Sequence, residues 1–194
     1  MKKKILLSYF APFGSLGTNS SEEVAKAIEA ENVDKIRLEV KYQKDFKTLR
    51  NAFFASNYDL VIMLGQARGR DKISLEKRAT NLNNPKAKDN DNFFPNEEIM
   101  EDGDHYLYTK IDLDDLIAKI NSEFVLISKN AGSFLCNFVY YQALFEFDKP
   151  SLFVHLPTFD TQGDDERIPT MKLEDEIKEI RKIIDILSED RAND

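Results

Sequence analysis

The run Leu60-Val61-Ile62-Met63-Leu64 has no polar interruption, so a strand built from it must be covered on both faces. Ile5 to Phe10 and Leu152 to Leu156 read as further buried strands, whereas Ile36, Leu38 and Val40 alternate with charged residues as a half-exposed one. Helical segments separate them. Ser20-Ser21-Glu22-Glu23 forms a capping box that opens a helix through Glu29. A second helix spans Lys44 to Ala55, with Phe46, Leu49, Phe53 and Phe54 on its apolar side. This alternation predicts an α/β fold: a single domain over residues 1–194, arranged as a three-layer α/β/α sandwich around a mostly parallel twisted sheet. Such sheets carry their sites at the carboxyl ends of strands.

Farther along, Ile73 to Leu82 alternates as a strand, and Asn83 to Asp104 is rich enough in Asn, Asp, Pro and Gly to form a long surface loop. The remaining order is a short strand from Tyr106 to Lys110, a helix from Asp112 to Ile120, and a buried strand from Phe124 to Ser128. A helix from Phe134 to Phe147, the Leu152 strand and a last helix from Lys172 to Leu187 follow. The acidic tail from Ser188 to Asp194 is expected to fray. A net charge of -8 with no basic stripe argues against a nucleic-acid partner. Met1-Lys2-Lys3-Lys4 precedes an apolar run broken by Pro12 and Gly14, which suits a first strand better than a signal peptide. No stretch is long enough to span a bilayer, so no membrane partner and a cytoplasmic location are expected.

The chain has one cysteine, Cys136, which excludes an internal disulfide and falls where the Phe124 strand gives way to a helix. With Ser133 as cap, Cys136 sits in the first turn, where free N–H groups and the helix dipole favour a thiolate. The ordinary alternative is a packed thiol, since Cys136 shares a helical stripe with Val139, Tyr140, Ala143 and Phe147. His155 ends an apolar strand, and a right-handed crossover between parallel strands would bring it to the same sheet edge as Cys136. Its alternative is a core imidazole satisfied by a carbonyl; His105, in an acidic loop, is solvated or structural. Glu76 is the carboxylate best placed to orient His155, against the alternative of an ion pair with Lys77 or Arg78.

These segments resemble the pyroglutamyl peptidase I family. Gly65-Gln66-Ala67, Ile73-Ser74-Leu75-Glu76-Lys77, Ala79 and Asn81 are similar to its glutamate signature, and Ser128 with Asn130 to Asn137 to its cysteine signature. Phe153-Val154-His155-Leu156-Pro157 resembles its histidine segment, and Phe10-Ala11-Pro12-Phe13-Gly14 with Asn19 its amino-terminal motif. The resemblance implies a cysteine exopeptidase acting on peptides blocked by N-terminal pyroglutamate, with Cys136 as nucleophile, His155 as acid and base, and Glu76 as its orienting group. It implies that Phe10 and Phe13 flank the lactam, that Gln66, Phe134 and Leu135 line the rest of the pocket, and that the enzyme is a homo-oligomer, a dimer or tetramer, needing no cofactor and no metal. The chain departs from the family pattern at Tyr9, Ala11, Ser20, Arg68, Arg78, Lys86 and Ala87, positions that bear on pocket shape and substrate range. A divergent paralogue with altered substrate, or a catalytically silent binding protein of the same fold, are the alternative expectations.

Overall fold

The computed structural model describes residues 2–14, 17–162 and 165–189. The chain opens with β1 (Ile5–Phe10), α1 (Ser20–Ala27), β2 (Val33–Leu38), α2 (Asp45–Phe54) and β3 (Leu60–Gln66). It continues through β4 (Ile73–Glu76), β5 (Arg78–Thr80), β6 (Tyr106–Tyr108), α3 (Leu113–Ile120), β7 (Val125–Ser128) and α4 (Leu135–Glu146). It ends with β8 (Ser151–Leu156), β9 (Thr158–Phe159), β10 (Thr170–Met171) and α5 (Leu173–Ser188). Six strands form the central sheet in the order β2-β1-β3-β8-β4-β7. Only the β8–β4 pairing is antiparallel, so β4 and β7 run against the other four.

Strand alternation sends two apolar sets to opposite faces. Ile5, Leu7, Ile62, Leu64, Ile73, Leu75, Leu152 and Val154 meet α1, α3 and α5, whose Val24, Leu116 and Ile180 complete one core layer. Leu6, Val61, Met63 and Phe153 face α2 and α4 and join Leu49, Phe53, Leu135, Val139 and Tyr140 in the other. Three layers result, as the sequence pattern implied. Among the described residues, no helix is long and apolar enough to cross a membrane.

Several boundaries differ from the sequence expectation. Asn19, not a serine box, caps α1 by accepting the N–H of Ser21, and the helix stops at Ala27. The Ile73–Leu82 strand breaks at Lys77: β4 stays in the sheet, while β5 leaves it to pair with β6. The Phe124 segment is an edge strand rather than a buried one, with Leu126 37% exposed, because α4 packs on β8 and β5 instead. Phe54 lies on the outer side of α2, 57% exposed. The loop over 83–104 carries no strand or helix but is firmly tied, with the buried Asp89 carboxylate accepting N–H groups of Tyr42, Asp91 and Phe93. Ser188 is buried as the end of α5, its hydroxyl donating to Ile184 O, so the tail does not begin there. Residues 190–194 of that tail lie outside the described residues.

One charge is out of keeping with its surroundings. Glu176 on α5 is fully buried, neither carboxylate oxygen has a hydrogen-bond partner, and burial, aided by Asp160, pushes it up to about 9. The folded state therefore holds a proton that the unfolded chain releases above about 4.5. That contribution is fully present below the unfolded value and is lost as pH rises through the folded one. Urea denaturation across this window is expected to show a stability decline of up to about 1.4 kcal/mol per pH unit from this group, absent from Glu176→Gln. Equal slopes for the two proteins would refute the assignment.

Candidate active site

The alternation that builds the core also gathers the polar residues. On β4, Ile73 and Leu75 point to the α1/α3/α5 layer, so Ser74 and Glu76 point to the other. On β8, His155 follows Phe153 by two and shares its face, and on β3 Gly65 follows Met63 in the same way. Gly65 and His155 are direct register partners on neighbouring parallel strands, about 4.8 Å apart. Cys136, in the first turn of α4, lies over this spot: a methyl group at Gly65 would be 2.9 Å from Cys136 Sγ and 2.7 Å from Phe153 Cζ. The absent side chain makes room for the sulfur.

This is not the crossover expected from sequence. β7 and β8 run in opposite directions with β4 between them, so the thiol and imidazole do not meet through a parallel β-α-β unit. They meet because α4 returns across the face shared by Gly65, Glu76 and His155. Nor does Ser133 cap α4. Phe134 occupies the cap position without a side-chain hydrogen bond, and the first helical bond runs from Phe138 N to Phe134 O. No capping side chain therefore shields the first-turn N–H groups beside Cys136.

Glu76 and His155 are both buried, and His155 Nδ1 lies 2.8 Å from Glu76 Oε1. Burial alone would raise Glu76, but His155, Ser128 and Arg70 outweigh it and hold the carboxyl below its usual range. Burial likewise holds His155 below the ordinary imidazole value of 6.5, despite the opposing pull of Glu76. A neutral imidazole beside a carboxylate donates from Nδ1, which leaves Nε2 with its lone pair. Glu76 is paired with Arg70, 2.7 Å away, rather than with Lys77 or Arg78. Tyr140 fixes the same strand from above by donating to Glu76 O at 2.8 Å.

The sulfur does not behave as the helix-start argument predicts. Burial, with the Glu76 charge adding to it, pushes the half-buried Cys136 up to about 12, and the Arg70 cation offsets only part. The resting group is a thiol. Its activation must come from proton transfer during attack.

The aromatic residues are divided. Phe13, 43% exposed, and Phe134 lie with ring centroids 5.1 Å apart, and Tyr42 meets Phe134 edge-on at 5.7 Å. Phe10 and Leu135 are buried in the core beneath, Phe10 against Phe153 at 6.4 Å. Gln66 points to the opposite face from Gly65, and its Oε1 accepts the N–H of Ser20 at 2.6 Å. His105 is exposed beside Tyr106, away from this cluster. Arg78 donates to Lys129 O and lies over the Tyr106 ring at 3.8 Å. Lys86 is exposed on the loop. Among the described residues, no group of three or more His, Cys, Asp or Glu is placed to hold a metal ion.

Two further contributors escaped sequence reading. Asn137 is fully buried, and its amide pairs with Thr80 N, Thr80 O and Leu82 O, which ties the start of α4 to β5. Arg70, within what read only as a turn, reaches both Glu76 and Asn130 O. The Asn130, Thr80 and Leu82 partners lie 55 to 60 residues away, where no local spacing marks them. The Gly65 contact, by contrast, yields a direct prediction: Gly65→Ala is expected to cost about 1–3 kcal/mol by overpacking and to lower activity by on the order of 10–100-fold by displacing the sulfur. Wild-type kinetics in a folded Gly65→Ala variant would refute the close approach.

A mostly parallel α/β sheet bearing a buried carboxylate–imidazole pair and a lone thiol at a helix start has the make-up of a thiol hydrolase. Comparison with known proteins agrees. The pyroglutamyl peptidase family model matches residues 3–190. A pyrrolidone-carboxylate peptidase of Thermosipho melanesiensis is 30% identical over 89% of this chain and 92% of its own length. One from Fusobacterium nucleatum is 31% identical over 95% and 92%. The crystal structure of pyrrolidone carboxyl peptidase from Fervidobacterium islandicum superposes with a TM-score of 0.87 at 31% identity, covering 96% of this chain and 98% of that one. Pyroglutamyl peptidase I from Bacillus amyloliquefaciens gives 0.85 at 27% identity, covering 97% and 95%. The chain belongs to the pyroglutamyl peptidase family.

Proposed function

We propose that this protein is a cysteine exopeptidase that removes N-terminal L-pyroglutamate from peptides through a thioacyl-enzyme intermediate. The reading rests on one observation above all: the buried Glu76–His155 pair shares a sheet face with the sulfur of Cys136. His155 Nε2 accepts the thiol proton as Sγ attacks the carbonyl between pyroglutamate and the next residue. The oxyanion lies against the first-turn N–H groups of α4. Collapse breaks the C–N bond, and imidazolium delivers its proton to the leaving amine. Water, deprotonated by the same imidazole, then cleaves the thioester and frees pyroglutamate. Neither a cofactor nor a metal enters this scheme.

Phe13 and Phe134 supply flat walls for a neutral lactam, and Phe10 and Leu135 a floor. Gln66 Oε1 is engaged by Ser20 on the face of β3 opposite Gly65, so the Gln66 side chain is not one of these walls. A charged amino terminus would have to shed its water between these rings, which favours blocked substrates. Peptides with N-terminal pyroglutamate are thus the partners in this reading, in a homo-oligomer that sedimentation would contradict by showing only the 22.4 kDa monomer. The direct test is release of the fluorescent amine from L-pyroglutamyl-coumarin amide compared with the L-prolyl amide. Release from the first alone is expected; background signal from both would reject the assignment.

A further inference from the structure

The Glu76–His155 pair is not isolated. Arg70, in the connection from β3 to β4, donates from Nη1 to Glu76 Oε1 at 2.7 Å, the same oxygen that lies 2.8 Å from His155 Nδ1. Its Nη2 donates to Asn130 O at 2.7 Å. Asn130 belongs to the loop between β7 and α4. That loop is braced by Asn130 N to Ser128 Oγ, by Gly132 N to Asn130 Oδ1, and by Asn84 N to Ser133 O. One planar cation therefore joins the carboxylate that orients the imidazole to the segment that sets where the cysteine helix begins.

We propose that Arg70 is a positioning residue of this site, holding the Glu76 carboxylate and the Asn130 loop in one fixed relation so that imidazole and thiol stay in register. The proposal deepens the peptidase reading and rests on it for its kinetic part. Bidentate geometry is the central point: a planar guanidinium can span two acceptors at fixed angles, which an ammonium cannot. Arg70 also shares Oε1 with the imidazole and so limits how strongly Glu76 favours imidazolium. His155 is faced by Glu76 from β4 and by Arg70 from the β3–β4 connection, while its β3 neighbour is Gly65, over which the Cys136 sulfur of α4 lies. Arg70 is the one cation in this set. It adds to the burial that keeps the base neutral.

The experiment compares Arg70→Met and Arg70→Lys with wild type by proton NMR titration of the imidazole, alongside kinetics. The chain has two histidines, so His105→Gln assigns the His155 signal. In Arg70→Met the His155 titration is expected to move upward, because a repelling cation is gone and Glu76 is no longer shared. In Arg70→Lys it stays near wild type, because the charge is kept. Both variants are expected to lose on the order of 10–100-fold in kcat with KM little changed, because neither spans Glu76 and Asn130. An unmoved titration in folded Arg70→Met overturns the electrostatic role, and wild-type kcat in Arg70→Lys overturns the two-acceptor role. If Arg70→Met does not fold, the neutral Arg70→Gln carries the same prediction. The titration requires no turnover, so an inactive wild type would refute the peptidase reading while leaving this result interpretable.

Discussion

Cys136→Ala is expected to reduce kcat/KM for pyroglutamyl-coumarin amide by at least about 10⁴-fold while leaving the fold intact. The size follows from covalent catalysis: without sulfur there is no thioacyl intermediate, and only binding and oxyanion contacts remain. Folding should survive because the resting group is a neutral thiol, so its removal strands no buried charge and empties little volume. Cys136→Ser sharpens the test. It keeps the shape but demands proton removal from a far weaker acid by the same neutral imidazole, so it should be nearly as inactive. Circular dichroism and urea midpoints close to wild type, with activity lost in both variants, are the expected combination. Activity within tenfold of wild type in Cys136→Ala would remove the thiol from the mechanism.

Glu76→Gln should cost about 10³–10⁴-fold in kcat. The carboxylate only accepts, so Nδ1 must carry the proton and Nε2 is free to receive one from sulfur. A glutamine amide can instead offer an N–H to Nδ1, which places the ring proton on Nε2 and removes the base. It also leaves the Arg70 guanidinium, 26% exposed, without its anion, so stability should fall by about 1–3 kcal/mol. The pH profile carries a second check. Since burial keeps His155 neutral, the acid limb of kcat/KM in the wild type should lie below 6.5, activity being lost as pH falls through that limb. An acid limb above that value, or a Glu76→Gln variant with unaltered kcat, would contradict the assigned proton positions.

The succession of strands and helices was legible because two-residue and helical periods reflect burial, and burial dominates here from β1 through α5. Cys136, His155 and Glu76 stood out by residue type and by the family signatures around them. Strand direction was not legible. Nothing in Ile73 to Glu76 distinguishes a strand running with β8 from one running against it, because alternation is identical either way. The break at Lys77 was hidden for a similar reason: Arg78, Ala79 and Thr80 keep the alternating pattern while pairing with β6 instead of the main sheet. The ionisation of Cys136 is not legible locally, because helix-start electrostatics can be read from neighbouring residues whereas the opposing desolvation depends on what α4 packs against. Asn137 pairs with a residue 57 positions away, and Arg70 joins Glu76, six residues on, to Asn130, 60 residues on, so the link each makes lies beyond any local motif.

The lone antiparallel seam of the sheet has a consequence for how this protein would fail. Glu76 and His155 are donated by the two strands on either side of that seam, β4 and β8, and β4 offers only Ser74, Leu75 and Glu76 to hold the alignment. Sliding β4 by a single residue would turn the carboxylate through the sheet into the opposite apolar layer. Catalysis should therefore vanish with heat or denaturant before helical content does, making turnover a finer gauge of strand alignment than any bulk spectroscopic signal.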